Sequence, residues 1–122
     1  MKSKTTNLIN IRRSLLVLVF ALSASSLSAG GSQTPVAEID IIKFKFEPQE
    51  ITIKAGQRLR WINREKRQYH SVWFEQAGDP EPDYLFPDDT YERSFDQVGS
   101  FPYRCGPHPK MTGVVHVESS VS

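Results

Sequence analysis

Beyond residue 36 the apolar positions alternate with polar ones, at the period of β-strands. Between Ala37 and Phe46 the alternation changes phase once: Ile39 and Ile41 share one parity, and Ile42, Phe44 and Phe46 share the other. That flip predicts a strand with a bulge, or one that crosses between two sheets. Ile51 and Ile53 predict a second strand, closed by a turn at Ala55-Gly56. Leu59 and Trp61, set between Arg58 and Arg60, predict a third, and His70, Val72 and Phe74 lie on one face of a fourth. Residues 76–90 read as loop, with Gly78, Pro80, Pro82, Pro87 and many acids. Thr90–Phe95 is a fifth strand. Phe101, Tyr103 and Cys105 share a face of a sixth, and Val114–Val117 begins the last. No stretch keeps a helical period. About seven short strands separated by turn signals predict an all-β sandwich.

The first thirty residues follow another pattern. Lys2, Lys4, Arg12 and Arg13 come without an acid, an apolar run extends from Leu15 to Leu22, and small residues follow to Gly31. This is the order of a secretory signal peptide, residues 1–29, cut near Ala29; an uncleaved N-terminal anchor is the alternative. A flexible stretch over 30–36 then leads into one domain over 37–119, the single domain that 122 residues allow. Eleven Lys and Arg and fourteen Asp and Glu follow residue 29, a net charge of −3, without the basic excess that nucleic-acid binding requires. Export to the periplasm places the chain in an oxidising compartment. A lone cysteine there must pair between chains, be buried, or be held by something.

Cys105, His108 and Met111 are spaced C-x-x-H-x-x-M where a predicted strand ends. A thiolate, an imidazole and a thioether within seven residues, joined by one distant histidine, make the His₂Cys set with a weak axial Met of a blue-copper site. Thiolate binds copper strongly, imidazole suits both Cu(I) and Cu(II), and a long thioether bond helps to tune the potential. Pro107 and Pro109 bracket His108 and stiffen the loop. His70, at the edge of a strand and facing the core, is assigned as the second histidine. His116, between Val115 and Val117, reads as a structural or solvent-facing residue of the last strand. Each residue alone has a plainer reading: a buried thiol, a satisfied polar histidine, a core methionine. Met111 is, however, the only Met after the leader and stands six residues from the only Cys. Zinc is the competing metal, but structural zinc sites use more thiolates and Met is a poor zinc ligand. No base–orienter arrangement supports a catalytic Cys–His pair.

Three stretches carry a family resemblance: Trp61-Ile62-Asn63-Arg64-Glu65 with His70 five residues on, Val98–Tyr103, and Cys105–Met111 with Gly113 and Val114. Through them residues 37–118 resemble the cupredoxins, the amicyanin branch in particular, with a ligand-loop spacing shared with pseudoazurins. The resemblance implies an eight-strand Greek-key sandwich holding one copper ion at His70, Cys105, His108 and Met111. It also implies an electron port at the exposed edge of His108 and a hydrogen bond from the Ser71 N–H to the Cys105 sulfur. The implied function is electron transfer rather than catalysis, since four protein ligands leave no open position. The implied partners are a periplasmic dehydrogenase as donor and a c-type cytochrome or oxidase as acceptor, around a monomer. A copper carrier is the alternative function. Tyr69, Ser71, Gly106 and Lys110 depart from the amicyanin pattern. Ser71 and Gly106 replace residues that tie the ligand loops together, so one such tie is expected to be absent. Several of Arg64, Lys66, Arg67, Arg104 and Lys110 are expected to rim the copper end, with ordinary solvated loop charge as the alternative, and the acidic run Asp79–Glu92 is expected elsewhere.

Overall fold

The computed structural model describes residues 34–121. The leader lies outside them, as do residues 30–33 of the expected flexible stretch. Seven strands form two sheets among the described residues: β1 Ala37–Ile42, β2 Lys45–Glu47, β3 Glu50–Lys54, β4 Gln57–Asn63, β5 Thr90–Phe95, β6 Gly99–Arg104 and β7 Thr112–Glu118. One sheet has the order β2-β1-β4-β5 and the other β3-β7-β6. β1 runs parallel to β4 and β3 parallel to β7, so the chain crosses between the layers rather than meandering. The expected all-β sandwich is what the chain forms.

The alternation decides which side of each strand is buried. Ile39, Ile41, Leu59 and Trp61 of the first sheet face Ile53, Tyr103, Val115 and Val117 of the second, all in one core. At about 25 cal/mol per Å² of apolar surface buried, side chains of this size each contribute about 1.5–3 kcal/mol. Trp61 lies at the centre, in ring contact with Phe74, Tyr91, Phe95 and Tyr103, and its indole N–H donates to the Tyr103 hydroxyl (3.2 Å). The polar parity of the same strands forms a ladder on the outer face. Arg60 stands opposite Glu92 and pairs with it and with Glu38, while Arg58 also reaches Glu92.

Two expectations are corrected. The phase flip after Ile41 is neither a bulge nor a change of sheet: the chain reverses at Lys43-Phe44, and Ile42 pairs with Lys45. Both turn residues have positive φ (52° and 56°), the two-residue geometry that suits the twist of a hairpin. The usual Asn-Gly signal is missing, so the turn was invisible in the sequence. The expected fourth strand, His70 to Phe74, is not a continuous strand. It is an extended segment held by single bridges, His70 to Leu85 and Trp73 to Arg104, followed by a 3₁₀ turn at Glu75–Ala77. Its alternation is real because it spans the gap between the sheets and buries Val72 and Phe74.

Candidate metal centre

Three connections meet at this site: the β1–β2 turn, the long β4–β5 connection and the β6–β7 loop. Cys105 follows β6 directly. Its N–H donates to the Met111 carbonyl (2.9 Å), and the Met111 N–H donates to the His108 carbonyl (2.9 Å), so the loop folds back with His108 at its tip. Cys105 and Met111 are buried, and His108 is partly exposed.

His70 is positioned from the other side. Its N–H donates to the Leu85 carbonyl (3.0 Å) and its carbonyl accepts from the Leu85 N–H (2.7 Å). The connection is knotted by the buried Asn63 at the end of β4. The Asn63 amide donates to the carbonyls of Gln68 and Leu85, both at 2.8 Å, and its Oδ1 accepts from the Glu65 N–H (3.0 Å). A buried side chain that satisfies three backbone groups keeps a loop in one conformation, because losing it would leave those groups unpaired.

The donor atoms of His70, Cys105 and His108 lie within 4.8 Å of one another. Nδ1 of His70 is 3.2 Å from Nδ1 of His108, and Cys105 Sγ is 3.6 Å and 3.4 Å from the two nitrogens. Two imidazoles and a thiol converging on one point form a soft donor set of the copper type. His70 Nε2 is buried without a hydrogen bond among the described residues and lies 3.6 Å from Glu65 Oε1. A proton on Nε2 faces that carboxylate and leaves the Nδ1 lone pair directed at the common point, as metal-binding imidazoles require.

Electrostatics agree with that role. Burial, reinforced by the nearby His108, holds the His70 pKa below the ordinary histidine value, while Glu65 pulls weakly the other way. The ring is therefore neutral and free to bind at neutral pH. Burial pushes the Cys105 thiol up, opposed by hydrogen bonds from the Ser71 and His108 backbones. The Ser71 N–H reaches Cys105 Sγ at 3.3 Å, as the resemblance implied. The expected missing tie is present in another form: the Gly106 N–H donates to the Ser71 hydroxyl at 2.7 Å.

Phe44, Glu65 and Trp73 build the site without having stood out in the sequence, and Arg104, expected only as rim charge, joins them. The Phe44 ring packs edge-on against both His70 and His108, and its N–H donates to Glu65 Oε1 (2.9 Å). The Arg104 guanidinium lies over the Trp73 ring at 4.4 Å, pairs with Glu75, and donates to the carbonyls of Cys105 and Gly106. The phase flip pointed at Phe44 without revealing the turn that presents it. His116 stays outside the cluster on β7, 2.9 Å from the Ser100 hydroxyl, and partly exposed as expected.

Two of the five basic residues expected at the rim are held in ion pairs. Arg64 is drawn off by Glu38 and Asp40, and Arg104 by Glu75, leaving Lys66, Arg67 and Lys110 without an ion pair among the described residues. The acidic run is corrected in part: Leu85, within it, is paired to His70 and Glu81 lies against Gly106, whereas Glu92 pairs with Arg58 and Arg60 on the outer face.

A two-layer sandwich with a Cys-His-His cluster at converging loops, His108 alone reaching the surface, defines a copper-binding cupredoxin. Residues 33–118 match the family of copper binding proteins that contains plastocyanin and azurin, and the chain belongs to that family. It is 36% identical over 109 residues to amicyanin-alpha of Methylorubrum extorquens, spanning 80% of this chain and 91% of that one. It is 37% identical over 84 residues to amicyanin of Paracoccus denitrificans, spanning 66% of this chain and 63% of that one. The crystal structure of amicyanin from Paracoccus versutus superposes with a TM-score of 0.64 at 35% identity, over 70% of this chain and 86% of that one.

Proposed function

We propose that this protein is an exported, periplasmic one-electron carrier whose copper is held by Nδ1 of His70, Sγ of Cys105, Nδ1 of His108 and the thioether of Met111. The observation that carries the reading is the convergence of two imidazole nitrogens and a thiol within 4.8 Å, with the Ser71 N–H already directed at the sulfur. Met111 joins on its burial and on the loop hydrogen bonds that return it to Cys105. When bound, copper supplies a Cu(I)/Cu(II) couple that accepts and releases a single electron.

The chain's own residues keep that site ready. Asn63 and the Leu85 bridge fix His70, Pro107 and Pro109 limit movement of His108, and Ser71 stabilises negative charge on the sulfur. Four protein donors leave no position for a substrate, so the protein is a carrier rather than an enzyme. The port is His108, which with Phe44, Pro107, Pro109, Lys110 and Met111 lines a pocket of about 490 Å³. A periplasmic dehydrogenase is the proposed donor and a c-type cytochrome or oxidase the acceptor, both taken from the similarity to amicyanins, with the carrier acting as a monomer. The leader-like N-terminus supports export.

The test is the absorption spectrum with one equivalent of Cu(II). An intense band at about 600 nm that bleaches with ascorbate and returns on reoxidation, and that is absent in Cys105→Ser, supports the reading. A copper carrier predicts instead that the metal passes to a chelator during one redox cycle. An absent band with a titratable Cys105 thiol rejects the site.

A further inference from the structure

Arg104 is held more closely than a rim charge needs to be. Its Nε donates to Glu75 Oε2 at 2.6 Å, and its Nη1 donates to the carbonyls of Cys105 and Gly106, both at 3.2 Å. The guanidinium lies 4.4 Å from the centre of the Trp73 ring. Its backbone is fixed as well: the Arg104 N–H donates to the Trp73 carbonyl (3.0 Å), and the Trp73 N–H donates to the Arg104 carbonyl (2.8 Å). Trp73 stands two residues beyond Ser71, whose N–H donates to Cys105 Sγ, so this bridge ties together the two segments that hold the sulfur. A carboxylate, two carbonyls and a ring face served at once call for a planar group with several donors, which suits arginine and not lysine.

These bonds set a charge where it acts on the thiolate. The Cys105 carbonyl belongs to the peptide whose N–H is that of Gly106, and this N–H donates to the Ser71 hydroxyl at 2.7 Å. A charged donor on the carbonyl polarises that peptide and strengthens the bond beyond it. Reduction of the centre removes one positive charge beside Cys105. A fixed cation there favours the reduced state, and a fixed carboxylate favours the oxidised one. The Arg104 side chain is 24% exposed and bonds the ligand loop directly. Glu75 is 51% exposed and, among the described residues, bonds Arg104 and not the loop. With Trp73 and Tyr103 the pair lines a groove of about 320 Å³ that admits water. Water screens the carboxylate more than the guanidinium, so the cation prevails.

We propose that Arg104 is a positioning residue that raises the reduction potential of the centre, through its charge and its bonds to the Cys105 and Gly106 carbonyls, and that Glu75 holds it there while cancelling part of that charge. The proposal rests on the electron-carrier reading above. Removing one or the other charge of this ion pair should then move the potential in opposite directions, which a purely structural clamp would not do.

The test is a redox titration of the copper-loaded protein, following the band at about 600 nm while a mediator-poised electrode supplies or removes one electron. Arg104→Met should lower the equilibrium constant for reduction about three- to tenfold, or about 28 to 59 mV at 59 mV per decade for one electron. Glu75→Gln, whose amide oxygen still accepts from Arg104, should raise it about two- to threefold. Arg104→Lys keeps the charge without the planar fork, and its potential should fall between those of Arg104→Met and the unmutated protein. In the metal-free protein the carbonyl carbon NMR signals of Cys105 and Gly106 should move upfield in Arg104→Met and stay in place in Glu75→Gln. Potentials that do not move, or that move the same way in Arg104→Met and Glu75→Gln, overturn the proposal. Carbonyl signals unchanged in Arg104→Met overturn it too. If Arg104→Met does not fold, Glu75→Gln and Arg104→Lys still decide the signs. Absence of the band in the unmutated protein would instead overturn the copper site, so the two failures are distinct.

Discussion

Two glycines at the copper end are held to hydrogen by what faces them. A Cβ on Gly113 would lie 2.4 Å from the Tyr103 ring and hydroxyl, and that ring is buried and hydrogen-bonded to Trp61. Gly113→Ala should destabilise the protein by about 3 kcal/mol, the upper part of the usual overpacking range. Gly106→Ala meets the Glu81 carboxylate and the Ser71 hydroxyl, at 2.8 and 2.9 Å. The Glu81 arm can swing away, so this substitution should cost less. Urea unfolding of both variants checks the order. His70 gives a pH signature to the metal-free protein. Its folded pKa lies below the ordinary 6.5, so the unfolded chain takes up the proton first as pH falls. Metal-free stability should therefore drop as pH falls below about 6.5, through the lowered folded value. The drop should be shallower in His70→Gln, as read by Tm against pH. The ligand residues themselves were legible, because a lone Cys, a bracketed His and a single mature Met at fixed spacing form a chemical pattern. Asn63 and Glu65 stand out only as part of a family stretch, because nothing in their spacing tells that a side chain will tie a loop to itself.

Among the elements, the β1–β2 hairpin was the hardest to read and leaves the clearest mark. Lys43 and Phe44 occupy left-handed backbone where neither is favoured, and what holds them is the Phe44 N–H bond to Glu65 together with the Phe44 ring on both histidines. Asn tolerates that conformation, so Lys43→Asn should raise stability by about 0.5 kcal/mol with the copper spectrum unchanged, measured by thermal unfolding and absorption together. Glu65→Gln should keep the Phe44 tie, since the amide oxygen still accepts, while removing the charge that faces His70. The strands themselves were legible wherever one face met the core and the other met water, as in β4 with Arg58 and Arg60 outside and Leu59 and Trp61 inside. The segment from His70 to Phe74 misled because an extended chain held only by single bridges, to Leu85 and to Arg104 at the end of β6, buries alternate residues just as a strand does.

For the whole molecule, metal and fold should be coupled. The buried thiol must lose its proton to bind, so copper affinity should increase with pH until the raised thiol value is passed. Copper added at a hundred times its dissociation constant should stabilise the fold by about 2.7 kcal/mol, seen as a higher unfolding midpoint than in Cys105→Ser. One further property follows from Cys105, the single cysteine, which is fully buried beneath three loops. A thiol-alkylating reagent can reach it only while the copper end is open. In the metal-free protein, at reagent concentrations where reclosing outpaces modification, the alkylation rate divided by that of a free thiol gives the population of the open state. The molecule thus carries its own gauge: with one thiol and so one place for a thiol-selective reagent, mass measured over time reports how often this end of the fold breathes.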